Sequence, residues 1–171
     1  MKKYELTAEF IEQWGKKLFR IKALISFGSV EAGELGGYVE KEDNLAQDGD
    51  AWVCDNAWVC DNVMVYGNAW VYDNARVYGN ARVCDNADYL LIGRIGSRFS
   101  FTTFFKNKDK GITVSCGCFL GTIAEFRAKV TDTHGNNKHA KIYNLAADMA
   151  ELQILGEEHF DKLNTNKSEP F

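Results

Sequence analysis

The sequence predicts a mainly β protein, a left-handed parallel β-helix of hexapeptide repeats followed by a C-terminal α/β cap. Three observations lead to this fold class. Residues 51–86 form six consecutive hexads, which begin at Ala51, Ala57, Val63, Ala69, Ala75 and Ala81. Every hexad carries valine at its third position, and every hexad ends in Asp-Asn or Gly-Asn. Repetition at a fixed step is the signature of a repeat architecture.

Each hexad has the pattern of a short strand followed by a corner. Small or β-branched residues alternate with larger ones, as in a strand with one buried face. The closing Asp-Asn or Gly-Asn pairs tolerate the positive φ that a corner requires. With three hexads per turn, residues 18 apart would stack and bury the valines Val53, Val59, Val65, Val71, Val77 and Val83. An antiparallel meander is the alternative, and the strict six-residue step argues against it.

The larger side chains of the hexads would point outward and fall on separate faces. One face is too apolar to be left in water, and we expect an oligomer interface there, made by Trp52, Trp70, Tyr72 and Leu90. A second face combines arginines with aromatic rings that could hold a phosphate and stack a base, namely Trp58, Arg76, Tyr78 and Arg94. Solvated arginines that only shield ring edges are the alternative for this face.

The segments on either side of the hexads predict four parts of the chain. Residues 1–50 would form an N-terminal cap, with a strand over 17–25 and an imperfect first coil. The β-helix would occupy 51–98, and an α/β cap would occupy 99–160, with strands over 99–106 and 112–120. The pair Thr122 and Glu125 is a capping box that begins a helix ending near Gly135, and a second helix spans 138–155. Residues 161–171 read as a flexible tail.

The joint between the two predicted helices is rich in hydrogen-bonding side chains. Exposed N–H groups at a helix start favour anions, and basic side chains strengthen that preference. We therefore expect a phosphate or carboxylate site formed by His134, Asn136, Asn137, Lys138 and His139. A plain inter-helix turn is the alternative for this segment.

Composition and charge exclude several classes of partner. The net charge is −4 and no dense basic run occurs, so duplex DNA is not an expected partner. The sequence shows no signal-peptide pattern and no apolar run of membrane-spanning length, which predicts a cytoplasmic protein without membrane contact. The five cysteines would stay reduced there, and the spacing of Cys116 and Cys118 differs from that of zinc sites. No metal and no cofactor is expected.

A catalytic role receives little support from the residues. Acyltransferases built on hexapeptide coils use a histidine as general base, and the first histidine of this chain is His134, in the predicted cap. Asp88 and Glu125 remain as carboxylate candidates for a base. We therefore expect a protein that is not an enzyme, and we assign no catalytic residue.

Several motifs resemble a known family. They are Gly36 to Glu40, Asn44-Leu45, Gly49 to Val53, the hexads, and Gly117 to Phe126. Together they are similar to the left-handed β-helix proteins with hexapeptide repeats that occur in bacteriophages and bacteria and are often labelled transferases. The resemblance implies a homotrimer, or a multiple of it, in the host cytoplasm.

The expected function combines this resemblance with the anion-friendly residues. It is a non-catalytic, oligomeric, phage-encoded protein that sequesters a small anionic, nucleotide-like ligand and so counters host defence. An acyltransferase-type enzyme and a structural or protein-binding phage component are the alternatives.

Overall fold

The chain divides into two units, Met1–Asn86 and Ala87–Phe171. The computed structural model describes residues 1–159 and 161. The predicted flexible tail therefore lies outside the described residues, apart from residue 161. The division of the chain into four segments stays a prediction.

The first unit begins with an antiparallel hairpin of strands β1 (Tyr4–Gln13) and β2 (Lys16–Ala23). The turn between them holds Trp14 at φ 51° and Gly15 at φ 76°. Two left-handed residues in succession match the right-handed twist of the strands on either side of a two-residue turn. The predicted N-terminal strand is confirmed as β2. Strand β1 was not predicted, although Tyr4, Leu6, Ala8 and Phe10 alternate with polar residues as in a strand, and only Tyr4 among its residues is buried.

Strand β3 (Leu35–Val39) joins the hairpin to the hexads. It pairs antiparallel with β2 and parallel with the second hexad strand, where Val39 lies beside Val59. Its glycines permit this close approach, since a Cβ at Gly37 would overlap the carbonyl oxygen of Ala57. The second hexad strand also pairs with the fifth hexad strand, and the five strands form one mixed sheet.

Each hexad contributes one strand of two residues. The strands are β4 (Trp52–Val53), β5 (Trp58–Val59), β6 (Met64–Val65), β7 (Trp70–Val71), β8 (Arg76–Val77) and β9 (Arg82–Val83). They pair in parallel at a separation of 18 residues, β4 with β7, β5 with β8 and β6 with β9. All six central valines are fully buried, and burial of each contributes roughly 1.5–3 kcal/mol before entropy is subtracted.

The predicted corners are present at the fifth position of the hexads. Five of the six residues there have positive φ, namely Asp55, Asp61, Gly67, Asp73 and Gly79. The local predictions of buried valines, left-handed corners and an 18-residue pairing step are therefore confirmed.

The predicted fold class is nevertheless wrong. A left-handed parallel β-helix would be a regular parallel solenoid, whereas the six hexad strands divide among three separate small sheets, two of which have only two strands. The hexads span 36 residues, and each hexad strand pairs with the strand 18 residues later. Each stack therefore contains only two hexad strands, too few to form an extended solenoid. Antiparallel strands supply most of the sheet structure. The described residues form a mainly β protein with mixed and antiparallel sheets and C-terminal helices.

The second unit is a four-stranded antiparallel sheet followed by two helices. Its strands are β10 (Tyr89–Ile95), β11 (Ser100–Lys106), β12 (Ile112–Cys116) and β13 (Phe119–Thr122), and its helices are α1 (Ile123–His134) and α2 (Lys138–Leu155). Both predicted helices and the capping box at Thr122 are confirmed. The predicted two strands are corrected to four, because β10 lies in the segment predicted as β-helix and the single strand predicted over 112–120 is two strands, β12 and β13.

The core of the second unit lies between its sheet and its helices. Phe104 and Val114 from the sheet pack with Phe126 of α1 and Tyr143 and Ala147 of α2. The rings of Phe104 and Phe126 meet edge to face at 5.7 Å between centroids. This packing fixes the position of α1 and α2 over the sheet. Within the described residues, no helix is both long and apolar enough to cross a membrane.

Candidate anion-binding site

A pocket of about 340 Å³ lies within the second unit. Its walls come from the turn between β10 and β11, the turn between β12 and β13, helix α1 and one residue of α2. The residues that line it are Ser97, Arg98, Ser100, Cys116, Gly117, Cys118, Phe119, Phe126, Lys129, Val130, Thr133, His134 and Tyr143. Its volume falls in the lower part of the range of small-molecule sites, which is roughly 300–1,000 Å³.

The polar lining is basic. Arg98, Lys129 and His134 contribute to it, and none of the residues that line it is acidic. Lys129 also pairs with Asp132 at 3.3 Å, but both side chains are largely exposed. Exposed pairs of this kind contribute little, so Lys129 is free to turn toward a ligand. A pocket with this lining favours negatively charged groups.

Neutral polar groups complete the polar part of the wall. Ser97, Ser100 and Thr133 bring hydroxyls to the lining. The hydroxyl of Thr102, a buried residue outside the lining, donates to the Sγ of Cys116 at 3.2 Å. The thiol of Cys116 in turn lies 4.0 Å from the hydroxyl oxygen of Tyr143. The hydroxyls of Ser97, Ser100 and Thr133 can each donate a hydrogen bond to an anion.

Tyr143 is a neutral hydrogen-bonding group in the lining of the pocket. Burial raises the pKa of its hydroxyl to about 12, the nearby Cys116 adds to the rise, and the positive charge of Arg98 opposes it. A phenol with such a pKa keeps its proton at neutral pH. Tyr143 therefore adds no negative charge to the pocket.

The apolar side of the pocket consists of packed rings. Phe126 lies edge to face against Tyr143 at 5.6 Å, and Phe119 lies 5.7 Å from Phe126. His134 stacks on Tyr143 with centroids 5.7 Å apart and an interplanar angle of 28°. The pocket thus presents cationic groups beside flat apolar surface.

The predicted polar joint contributes one residue to this pocket. His134 lines it, and His139 lies beside His134 with ring centroids 5.7 Å apart. The side chain of Asn137 accepts hydrogen bonds from the N–H groups of His139 and Ala140 at 2.8 and 3.1 Å, and so caps α2. Asn136 and Lys138 are exposed and outside the lining. The joint therefore combines the N-terminal cap of α2 with one residue of the pocket lining.

The predicted arginine and aromatic face of the hexads is closed by packing within the first unit. Trp58 stacks on Tyr78 at 5.9 Å, and Trp14 packs against both rings at 5.2 and 5.1 Å. Only 4% of Trp58 and 6% of Tyr78 is exposed. Arg76 lies 5.7 Å from the ring of Trp58, and Arg94 belongs to strand β10 of the other unit. These rings form a small core rather than an open stacking surface.

The residues of the predicted oligomer interface occupy different environments. Trp52 is fully buried beneath Tyr4 and Phe27, with ring centroids at 6.3 and 5.4 Å. Trp70 stacks on Tyr72 at 5.6 Å, and 40% of Tyr72 is exposed. Leu90 packs against the core of the second unit. Trp52 is thus a core residue covered by the N-terminal segments, and an interface at Trp70 and Tyr72 stays a prediction.

Sequence reasoning missed most of the pocket. Arg98, Lys129 and Phe119 lie on a turn, a helix and a strand, and only the packing of these elements brings them together. In the sequence, Cys116 and Cys118 show only a spacing that differs from that of zinc sites, and Tyr143 is one position of the second predicted helix. The one available signal was the basic joint at His134.

A second cluster of polar groups is found in the first unit. Ligand atoms of Glu40, Cys60 and Asp61 lie within 4.8 Å of one another. The ammonium group of Lys16 pairs with both carboxylates, and the N–H of Asp61 donates to Glu40 at 2.6 Å. A lysine of the same unit therefore offsets part of the cluster's negative charge.

No family model matches the chain, and no curated protein matches it. The resemblance to the phage and bacterial hexapeptide-repeat family is therefore wrong as an assignment, and the division of the hexad strands among separate small sheets contradicts its solenoid architecture. The physical reason is that the short hexads specify a local strand and corner, which do not fix the surrounding sheets. The phage origin and the role against host defence rested on that resemblance, and they are withdrawn with it.

Proposed function

We propose that this chain is a non-catalytic binding protein that takes a small anion with an aromatic part, of the nucleotide kind, into the pocket of its second unit. The observation that carries the proposal is the lining. It joins Arg98, Lys129 and His134 with hydroxyls and apolar rings, and it contains no carboxylate.

The anionic part of such a ligand would be held by charge and by hydrogen bonds. The planar guanidinium of Arg98 can bind two oxygens of a phosphate or carboxylate at once, and Lys129 can add a point charge. Ser97 and Thr133 can donate further hydrogen bonds. Hydrogen bonds to charged groups contribute about 1.5–3 kcal/mol each, so loss of Arg98 should weaken binding tenfold or more.

The aromatic part of the ligand would contact the rings. Phe119 and Phe126 offer apolar surface in the same pocket that carries the cations. A ring that packs against them gains from dispersion and from the removal of apolar surface from water. A nucleoside monophosphate satisfies both halves of the pocket, whereas inorganic phosphate satisfies only one.

Cys116 has the hydroxyls of Thr102 and Tyr143 as its hydrogen-bonding neighbours, and neither is a general base. A nucleophilic cysteine is activated by a base within hydrogen-bonding reach, so we assign Cys116 a binding role rather than a catalytic one.

Calorimetric titration tests the proposal with three probes, adenosine monophosphate, inorganic phosphate and adenosine. We expect the nucleotide to bind most tightly, because only it uses both parts of the pocket. Arg98→Met should weaken nucleotide binding at least tenfold. Lys108→Met is the matched control, since it removes one exposed positive charge from a turn outside the lining, and it should leave the affinity unchanged. Absence of binding by all three probes, or equal loss in both variants, contradicts the proposal.

A further inference from the structure

Helix α2 is apolar on two opposite sides. Tyr143, Ala147, Ala150 and Ile154 face the core of the second unit and are buried. On the other side lies a stripe of large apolar side chains, which we call the outer stripe. It consists of Ile142, Leu145, Met149 and Leu152, whose exposed fractions are 38%, 65%, 55% and 45%.

Such exposure is unusual for a helix that already has a buried face. An amphipathic helix at a protein surface carries polar residues opposite its core side. A contiguous row of exposed Ile, Leu and Met marks a contact surface. The outer stripe is therefore a surface that an apolar partner would cover.

We propose that this partner is the same stripe of a second copy of the chain, in antiparallel orientation. The spacing of the four residues is three, four and three, which is the spacing of the seam in paired helices. A two-fold axis near position 147 places Leu145 opposite Met149 of the second copy and Ile142 opposite Leu152 of the second copy. The stripe is thus complementary to itself, as a two-fold interface requires.

The charges at the two ends of α2 favour this orientation. Lys138 and Lys141 are exposed at its start, and Glu157 and Glu158 are exposed just beyond its end. Antiparallel pairing brings the basic start of one helix to the acidic end of the other, and it also opposes the two helix dipoles. Parallel pairing would place like charges side by side. The charge pattern therefore selects the antiparallel pair.

The interface between the two outer stripes is small, so the dimer it forms is weak. One pair of helices of this length buries less surface than the roughly 1,200–2,000 Å² of a stable interface. The dimer should therefore dissociate on dilution. The pocket is lined by other residues, so the proposal stands independently of the anion-binding function.

Sedimentation velocity over a concentration series, from the low micromolar to hundreds of micromolar, tests the dimer. We expect a rise from 19.3 kDa toward twice that mass. Leu145→Glu should keep the chain monomeric throughout. Leu120→Glu is the control, since Leu120 is 44% exposed on β13 and lies outside the stripe. Circular dichroism shows whether both variants keep their helices. A wild-type chain that is monomeric throughout, or a dimer that survives Leu145→Glu in a folded variant, overturns the proposal.

Charge reversal tests the orientation. Lys138→Glu and Glu157→Lys should each weaken the dimer, and the double variant should restore it, because the exchanged charges attract again across an antiparallel pair. A double variant weaker than either single variant would overturn the antiparallel arrangement.

Discussion

The ammonium group of Lys3 donates a 2.9 Å hydrogen bond to the carbonyl oxygen of Ala51, the first residue of the hexads. It also donates to the carbonyl oxygens of Asp48 and Gly49, at 3.2 and 3.3 Å. Lys3 is only 2% exposed, and its burial lowers the pKa of the ammonium group, although Asp48 and Asp50 oppose that effect. A buried lysine thus satisfies three acceptors where the repeat begins.

Replacement of this lysine should destabilise the first unit. Lys3→Met leaves the three carbonyl oxygens without their donor, and a buried unsatisfied group costs about 1–3 kcal/mol. Urea denaturation measures the change in the free energy of unfolding. Lys2→Met is the control, because Lys2 is exposed and pairs with Glu42 at the surface, where the expected loss is about 1 kcal/mol at most. Equal losses in the two variants would show that the three acceptors do not depend on Lys3.

Gly96 and Tyr143 shape the pocket together. A Cβ on Gly96 would overlap the hydroxyl oxygen of Tyr143, so Gly96→Ala must displace that ring. We expect the variant to lose nucleotide affinity as well as stability. Gly156→Ala introduces a side chain at another positive φ with no atom within 4 Å, so it should lower stability alone. Calorimetric titration of both variants checks this, and unchanged affinity in Gly96→Ala would contradict the placement of Tyr143.

The cysteines should differ in their reactivity. Burial raises the pKa of the Cys54 and Cys60 thiols to about 12, with nearby carboxylates adding to the rise. At pH 8 only about one such thiol in ten thousand is a thiolate. Cys118 is exposed, so iodoacetamide should modify it first in the native protein. Peptide mass spectrometry over time gives the order. Early modification of Cys60 would contradict the packing around it.

Acid should destabilise the first unit through Asp61. Burial opposes its negative charge, but hydrogen bonds from Lys16 and from the N–H of Gly79 outweigh burial and lower the pKa of Asp61 below 3.8. A lowered carboxyl pKa stabilises the fold above 3.8, and that contribution is lost as the pH falls through the pKa of the folded state. Thermal melts should show a fall in stability below about pH 4 that is smaller in Asp61→Asn. Asp73→Asn, at the equivalent corner, should keep the wild-type dependence, and an Asp61→Asn profile that matches the wild type would contradict this role.

The sequence predicted local structure well and the arrangement of that structure poorly. The hexads specify buried valines and left-handed corners because those features depend on a few neighbouring residues, and the capping box at Thr122 marks the start of α1 for the same reason. The fold class depends on which strands pair across long distances. The hexad pattern does not show that Val39 pairs with Val59 or that β1 pairs with β2, so a regular solenoid was wrongly predicted for residues 51–98.

The site was predictable only in part. His134 was found because a basic joint at a helix start is visible in the sequence. Arg98 and Lys129 approach the same cavity from a turn and from a helix, and neither position has a local pattern that distinguishes it from a solvated residue. The predicted site at Trp58 and Tyr78 is covered by Trp14, which the sequence places 44 residues before Trp58.

The most direct test of the anion-binding function is a titration of the isotope-labelled protein with adenosine monophosphate, followed by amide chemical shifts. We expect saturable changes at residues that line the pocket, above all Arg98, Gly117, Lys129 and His134, with the amides of the hexads unchanged. Absence of saturable changes, or changes confined to residues 1–86, would contradict the proposed function.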